Sequence, residues 1–338
     1  MAGSGRKRRP PVADGREGWR LWRATLALAA IVVAAVAGIC LPGRVLAAAN
    51  TDDEIVYRDP NGFLRVVDPR PTSLTLQVSW VSPEGGWVDF ALGDFNADGD
   101  SEIVAVKPDG DGRGILTVFD PVALNVGDDH DRFVDGVPWD VLYTASLSGP
   151  PLLVTTGTFD PSRPGDEIVY SFHVPVEERV NTDDPWRVVV LRQANADAPG
   201  REFETLASFD TGVEWTWMAA GDVGGNGIDE LALIDEVEGD LSLFRVTGEF
   251  ERIYRNVSRE NTWQAAVFGQ YTAGGAEELA AVREERFPLA SLLVFRWDGT
   301  TLADVVADVL VPGPNYVFLA DIGGNGDQEV VMLRRVRQ

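Results

Sequence analysis

GDFNADGDSEIVAV, residues 93–106, places four carboxylates and one asparagine within nine residues and then becomes apolar. The Gly, Asp and Asn residues indicate a tight turn, and the β-branched and apolar residues after them indicate a strand. Two interpretations follow from this stretch alone. It is either a metal-binding loop or an acidic turn between two strands.

The same pattern recurs along the chain, which indicates a repeat architecture. In every copy a glutamate opens an apolar strand, and these glutamates are 48, 65, 63, 48 and 51 residues apart. Such a period is long enough for four short strands, as in one blade of a propeller. The other copies are TTGTFDPSRPGDEIVYSF (155–172), AAGDVGGNGIDELALID (219–235), VFGQYTAGGAEELAAV (267–282), FLADIGGNGDQEVVML (318–333) and the shortened AANTDDEIVY (48–57).

The second repeat divides into four strand-like segments with period-two alternation, and no window of the chain has sustained helical spacing. The four segments are residues 87–92, 102–106, 115–120 and 139–147. Tryptophans recur six residues before the loop glycine, at Trp87, Trp215 and Trp263. We predict that they pack between neighbouring repeats.

A four-stranded sheet cannot bury both of its faces alone, so successive repeats must stack, and radial stacking leaves only short, protected edges. We therefore predict an all-β fold, a β-propeller of four-stranded blades with about six blade positions. A β-sandwich array is the structural alternative, but its repeats would be nearer ~100 residues. The first repeat begins at its second strand and the last ends after two strands. We therefore expect one of three outcomes: the ring closes imperfectly, a partner completes it, or residues missing from this chain complete it. The last outcome would allow a ring of seven blades.

Residues 1–49 have the features of an export segment rather than of the folded domain. Seven basic residues precede an apolar run at 25–41, and small residues of the kind that signal peptidases accept follow at 46–49. The run of seventeen residues is short for a spanning helix of ~20, so a cleaved signal peptide and a retained membrane anchor both stay open. We expect residues 50–338 to be exported, either secreted or held at the cell surface.

The net charge of residues 50–338 argues against nucleic acid as a partner. From residue 50 onward there are 21 basic and 51 acidic residues, a net charge of −30. Such a surface repels phosphate backbones, so nucleic acid is not an expected partner.

The acidic loop has the spacing of a calcium site. Hard cations such as Ca²⁺ take six to eight oxygen ligands, which a loop supplies when alternate residues point inward. Asp94, Asn96 and Asp98 occupy positions one, three and five, the carbonyl of Asp100 follows the turn, and Glu102 is at position nine. An EF-hand is excluded, because position twelve is an alanine and strands flank the loop.

The pattern of a strand, G-D-F-N-x-D-G, an acidic residue and an apolar strand, repeated along the chain, resembles the FG-GAP and VCBS repeats of integrin-α-like β-propellers. The resemblance covers residues 50–338 and is most specific in the second copy. It implies that the loop joins the first two strands of a blade and binds calcium. By position, the implied ligands are Asp94, Asn96, Asp98, the Asp100 carbonyl and Glu102.

The other copies depart from this pattern. A glycine replaces the third-position side chain in the fourth and sixth copies, so these sites are expected to bind weakly or stay empty; their remaining ligand residues are Asp222, Asn226 and Glu230, and Asp321, Asn325 and Glu329. Thr158 and Gln270 open the third and fifth loops, which we interpret as metal-free turns. Because the glutamate is present even there, we predict that it accepts loop N–H groups with or without an ion.

Catalysis is not expected. The two histidines, His130 and His173, lie in or beside insertions between strands, and no nucleophile motif accompanies them. The leading hypothesis is an exported, calcium-stabilised binding or adhesion module for an extracellular protein or glycan. The resemblance implies that the ligand would dock opposite the calcium loops. Trp186 in the segment 174–186 is a candidate contact there, although the segment also fits a variable surface insertion. An accessory domain or weak enzyme acting on polysaccharide, and a structural part of a cell-envelope assembly, stay open.

Overall fold

The computed structural model describes residues 55–70, 75–120, 139–181, 183–197, 199–235, 237–257, 262–271, 276–284, 289–312, 316–320 and 329–333. The export segment predicted at 1–49 lies outside this range, as do His130, Asp321 and Asn325. Among the described residues no helix is long and apolar enough to cross a membrane.

The described chain consists of antiparallel strands and one short 3-10 helix, Val176–Glu178. The strands are β1 (Ile55–Arg58), β2 (Leu64–Arg70), β3 (Thr75–Val81), β4 (Asp89–Gly93), β5 (Glu102–Pro108), β6 (Gly114–Asp120), β7 (Asp140–Leu147), β8 (Pro151–Gly157), β9 (Glu167–His173), β10 (Trp186–Gln193), β11 (Phe203–Thr211), β12 (Trp215–Gly221), β13 (Glu230–Asp235), β14 (Leu241–Val246), β15 (Phe250–Asn256), β16 (Trp263–Gly269), β17 (Glu278–Glu284), β18 (Leu289–Trp297), β19 (Leu302–Pro312), β20 (Tyr316–Ala320) and β21 (Glu329–Leu333).

Consecutive strands pair in chain order to form a β-propeller, which confirms the predicted fold class. Four sheets have four strands each, β4–β7, β8–β11, β12–β15 and β16–β19, whereas β1–β3 form a three-stranded sheet and β20–β21 a two-stranded sheet. The first strands of successive sheets, from β4 through β8, β12 and β16 to β20, contact one another. These strands therefore lie innermost, as in a propeller.

The core lies between the sheets. Each of the four largest clusters of buried apolar side chains draws its members from two successive sheets. Along β5, Ile103 and Ala105 join the cluster shared with the sheet β1–β3, while Val104 and Val106 join the one shared with β8–β11. Because successive side chains of a strand point to opposite faces, the second strands are apolar at almost every position.

The recurring tryptophans pack between sheets, as predicted. Each is almost fully buried in one of the clusters between sheets, and each meets a phenylalanine on the third strand of its own sheet edge to face. The pairs and their ring-centroid distances are Trp87–Phe119 (5.5 Å), Trp215–Phe244 (6.3 Å) and Trp263–Phe295 (5.8 Å).

Neighbouring sheets are also joined by a pair of hydrogen bonds that we call the bracket. The acidic residue before the strand-opening glutamate accepts the backbone N–H of the first loop residue in the preceding sheet, and its own N–H donates to the carbonyl of that residue. The three brackets join Asp166 to Asp94 (3.0 and 2.8 Å), Asp229 to Thr158 (2.9 and 2.8 Å) and Glu277 to Asp222 (3.0 and 2.8 Å).

The bracket explains why a glycine ends each of these inner strands. A Cβ at Gly93, Gly157 or Gly221 would lie 3.0 Å or less from the carboxylate oxygen of the next sheet that accepts the bracket hydrogen bond. That separation is too short for a carbon and an oxygen in contact, so a larger residue would push the two sheets apart.

One further contact between sheets carries a buried acid. Asp89 on β4 is 3% exposed, and its Oδ2 accepts the N–H of Val154 on β8 at 2.8 Å, while its Oδ1 has no partner among the described residues. Burial raises the pKa of Asp89 to about 8, against the opposing effects of the Val154 and Phe90 N–H groups and of Arg58. A folded-state pKa above the unfolded one gives stability that is lost as pH rises toward 8.

The unfolding free energy of the wild type should fall between pH 5 and pH 8 as Asp89 ionises. We expect this fall to be about 3 kcal/mol smaller in Asp89→Asn, because the amide never ionises. Urea denaturation at both pH values, in chelator, measures this difference. The matched control is Asp197→Asn at an exposed aspartate, which should leave the difference unchanged. An Asp89→Asn protein with the pH dependence of the wild type would contradict the assignment.

Candidate metal centre

The loop between β4 and β5 is wound around its own acidic side chains. Asp94 accepts the N–H groups of Asp98 and Gly99 at 3.1 Å each, and the Asn96 side-chain oxygen accepts the Asp98 N–H at 2.9 Å. Ala97 and Gly99 have φ values of 60° and 91°, the left-handed conformation that turns the chain back on itself. Strands flank the loop on both sides, as the sequence predicts.

Three of the predicted ligands converge. Single carboxylate oxygens of Asp94, Asp98 and Glu102 lie within 4.8 Å of one another. Asn96 adjoins them, since its amide nitrogen donates to Asp98 Oδ2 at 3.0 Å. Asp100 contacts the cluster through its backbone N–H, which donates to Asp98 Oδ1 at 2.9 Å. The role predicted for the Asp100 carbonyl stays a prediction.

Glu102 is the buried member of the cluster. Its side chain is fully inaccessible, its Oε2 accepts the N–H groups of Phe95 and Asn96 at 2.7 and 3.3 Å, and its Oε1 has no partner among the described residues. Burial, together with Asp120, Asp98 and Asp94, raises the pKa of Glu102 to about 8, and the Phe95 N–H opposes this rise. Burial likewise raises the pKa of Asp94.

These residues fit a hard divalent cation. A carboxylate oxygen that accepts one N–H keeps a second lone pair for a metal, and the unpartnered Glu102 oxygen has no other use in the described structure. Converging carboxylates that burial drives toward protonation are the groups whose charge a Ca²⁺ ion would stabilise.

The loop is anchored from behind by the next sheet. The bracket from Asp166 holds both backbone groups of Asp94, and the Gln193 side chain on β10 donates to the Phe95 carbonyl at 2.7 Å. Gln193 is fully buried and also accepts the Gly200 N–H at 2.7 Å. Neither contact is predicted by the sequence pattern. The only signal for the bracket is an acidic residue directly before the glutamate.

The fourth copy keeps the hydrogen-bonded turn, but an arginine lies close to its strand-opening glutamate. Asp222 accepts the N–H groups of Asn226 and Gly227 at 3.0 and 2.6 Å, as Asp94 does in its own loop. Glu230, however, has the Arg245 guanidinium 3.8 Å from its Oε1. Burial still raises the pKa of Glu230, and Arg245 opposes this rise. In the sixth copy Glu329 opens β21, and its two companions lie outside the described residues.

The glutamates of the third and fifth copies accept loop N–H groups, as predicted. Glu167 accepts the N–H groups of Phe159 and Asp160 at 2.6 and 3.1 Å, and Glu278 accepts that of Tyr271 at 3.0 Å. Burial raises the pKa of Glu167 to about 7. The strand-opening glutamate therefore closes its loop by hydrogen bonds in the second, third and fifth copies, although their other loop residues differ.

The candidate contact Trp186 lies at the opposite end of its sheet from the loops. It begins β10, pairs in register with His173 at the end of β9, and packs edge to face on the His173 ring at 4.8 Å. Arg179 reaches the same histidine, with 3.2 Å between the guanidinium nitrogen and Nε2. Val176 and Val180, in the connecting segment, are 69% and 88% exposed. The segment therefore exposes two valines close to the Trp186 and His173 rings and the Arg179 guanidinium.

Comparison with known proteins adds no family to this geometry. No protein-family model matches the chain, and no curated protein matches it either.

Proposed function

We propose that this protein is a calcium-stabilised β-propeller of the FG-GAP/VCBS type, similar to integrin-α propellers, and that it is exported to serve as a binding or adhesion module for an extracellular protein or glycan. The observation that carries the proposal is the loop 94–102. There Asp94, Asp98 and Glu102 bring three carboxylate oxygens within 4.8 Å of one another, with one buried oxygen unpartnered.

Calcium would supply a fixed positive charge to this loop. Asp94, Asn96, Asp98 and Glu102 would hold it, with the Asp100 carbonyl as a fifth ligand. Since the Asp166 bracket ties Asp94 to the next sheet, an ion bound there would stiffen the junction of two sheets. The sites at Asp222 and Asp321 are proposed as weak or empty, as their missing ligand suggests.

We also propose about six blade positions. Among the described residues, the sheet β1–β3 has no strand equivalent to β4, and the sheet β20–β21 has only the two inner strands. The sheets at the two ends therefore need strands from residues outside those described, or from a partner, before every edge is covered. Residues 1–49 are proposed as a signal peptide or membrane anchor that places the propeller outside the cell.

The end of the propeller away from the calcium loop is the proposed binding face. Segments that join second and third strands lie there, and the one between His173 and Trp186 exposes Val176 and Val180 beside an aromatic ring. Aromatic rings and exposed apolar side chains on a rigid scaffold are common contacts for proteins and sugars.

A glycan array and a cell-surface pulldown, each run with calcium and with chelator, test this function. We expect calcium-dependent retention, reduced at least tenfold in Trp186→Ala and Val180→Asp. The matched control is Val141→Asp, at an exposed valine of β7, which should bind as the wild type does. Failure to retain any glycan or surface protein in calcium would remove the binding role. Polysaccharide cleavage, or a stable complex with envelope proteins, would replace it with another function.

A further inference from the structure

The residue opposite the strand-opening glutamate differs between sheets in a way that the loop sequences do not reveal. Glu230 on β13 pairs directly with Arg245 on β14. In the other sheets the paired register stops one residue earlier, at Ile103–Phe119, Ile168–Leu191 and Leu279–Phe295. The next residues along the third strands are Asp120, Arg192 and Arg296.

In three sheets this position places an arginine against the carboxylates of the loop. Arg296 pairs with Glu278 Oε1 at 2.8 Å, and Arg245 lies 3.8 Å from Glu230 Oε1. Arg192 turns instead to the loop carboxylate Asp160, with 2.9 Å between its Nη1 and the Asp160 Oδ2. The protein itself therefore supplies a positive charge to each of these loops.

The sheet β4–β7 has the opposite charge at this position. Asp120 is half-buried, and burial together with Asp98, Asp140 and Asp100 raises its pKa, with Arg201 opposing. Asp120 is also the strongest of the carboxylates that raise the pKa of Glu102. Within the described ranges, neither Asp120 nor any of the carboxylates of Asp94, Asp98 and Glu102 forms an ion pair.

We propose that Asp120 selects this one loop for a divalent cation, because it takes the place of the arginine and adds a fifth carboxylate to those of Asp94, Asp98, Asp100 and Glu102. The cation then has the role that Arg192, Arg245 and Arg296 have in their own sheets. Glu102 Oε1 is buried without a partner among the described residues, as are Glu167 Oε1 and Glu230 Oε2. Of these three loops, only the one closed by Glu102 has no described arginine paired with its carboxylates. The inference rests on the proposed calcium site and extends it to a residue outside the loop.

The test is a charge exchange in the full chain. Calorimetric titration with calcium chloride should show at least about tenfold weaker binding for Asp120→Arg, since the new cation competes for the same carboxylates. Its melting temperature in chelator should rise above that of the wild type. Asp140→Arg is the matched control, because Asp140 is exposed and pairs with Asp120 on the next strand. It makes the same change in net charge and should weaken binding by less than about threefold.

Asp120→Asn covers the case in which the arginine variant does not fold, and it should bind calcium at least about threefold more weakly than the wild type. A wild-type protein that takes up no calcium would end the proposed calcium site and this inference together. Calcium binding by the wild type that both Asp120 variants retain in full would overturn the inference alone. Equal losses in Asp120→Arg and Asp140→Arg would also overturn it, because net charge would then be the cause.

Discussion

Calcium at about 1,000 times its dissociation constant should raise the unfolding free energy of the full chain by about 4 kcal/mol over that in chelator, because at the proposed site the ion would bind only the folded loop. For a domain of this size the melting temperature should then rise by about 8 °C. The shift requires the convergence of Asp94, Asp98 and Glu102, which cannot persist in an unfolded chain.

Asp98→Ala should abolish this shift at little cost to the metal-free protein. Asp98 is exposed, and its carboxylate accepts only the Asp100 N–H and the Asn96 amide in the described structure. Its melting temperature in chelator should therefore stay close to that of the wild type. Asp111→Ala, at an exposed aspartate in the turn between β5 and β6, is the control that keeps the calcium shift. Superimposable melting curves of the wild type in calcium and in chelator would refute the calcium site.

Glu167→Ala should destabilise the protein by about 2–4 kcal/mol in either buffer. Glu167 is fully buried, and the alanine would leave the N–H groups of Phe159 and Asp160 without an acceptor. The effect is expected in a loop where no metal is proposed, so it measures the hydrogen-bonding role of the glutamate alone. Urea denaturation gives the free-energy difference.

Glu167→Gln separates this role from charge. The amide oxygen can still accept the two N–H groups, and the side chain cannot ionise. The folded-state pKa of Glu167 is about 7, above the usual 4.5, so wild-type stability falls as pH rises between these values. The glutamine variant should match the wild type near pH 5 and exceed it near pH 8. Equal losses in the alanine and glutamine variants would show that the carboxylate charge, rather than an acceptor oxygen alone, is needed at this position.

Much of the fold can be predicted from the sequence because its determinants are local. The alternation in 115–120 and 139–147 predicts β6 and β7, and the repeated glutamate predicts where each second strand begins. The tryptophan positions predict packing between sheets, because a large aromatic side chain at the same place in three repeats needs a similar cavity in each of them.

The contacts between sheets could not be predicted in the same way. Asp94 and Asp166 are 72 residues apart, and no local sequence pattern near either residue identifies the other as its partner. The opposition of Glu102 and Asp120 depends on strand register, which is set only when the sheet has formed. The convergence of carboxylates within one loop was therefore accessible from spacing, whereas the charges that surround the loop were not.

The bracket has a direction, and this bears on how the chain folds during synthesis. In each described case the carboxylate comes from the later sheet and the amide from the earlier one. A nascent chain emerges with its N-terminal residues first, so each finished blade presents an unsatisfied amide until its successor leaves the ribosome. The blades should then form one after another, and each new blade should complete the hydrogen bonds of the blade before it. A stalled chain should remain sensitive to proteases at the blade that was synthesised last.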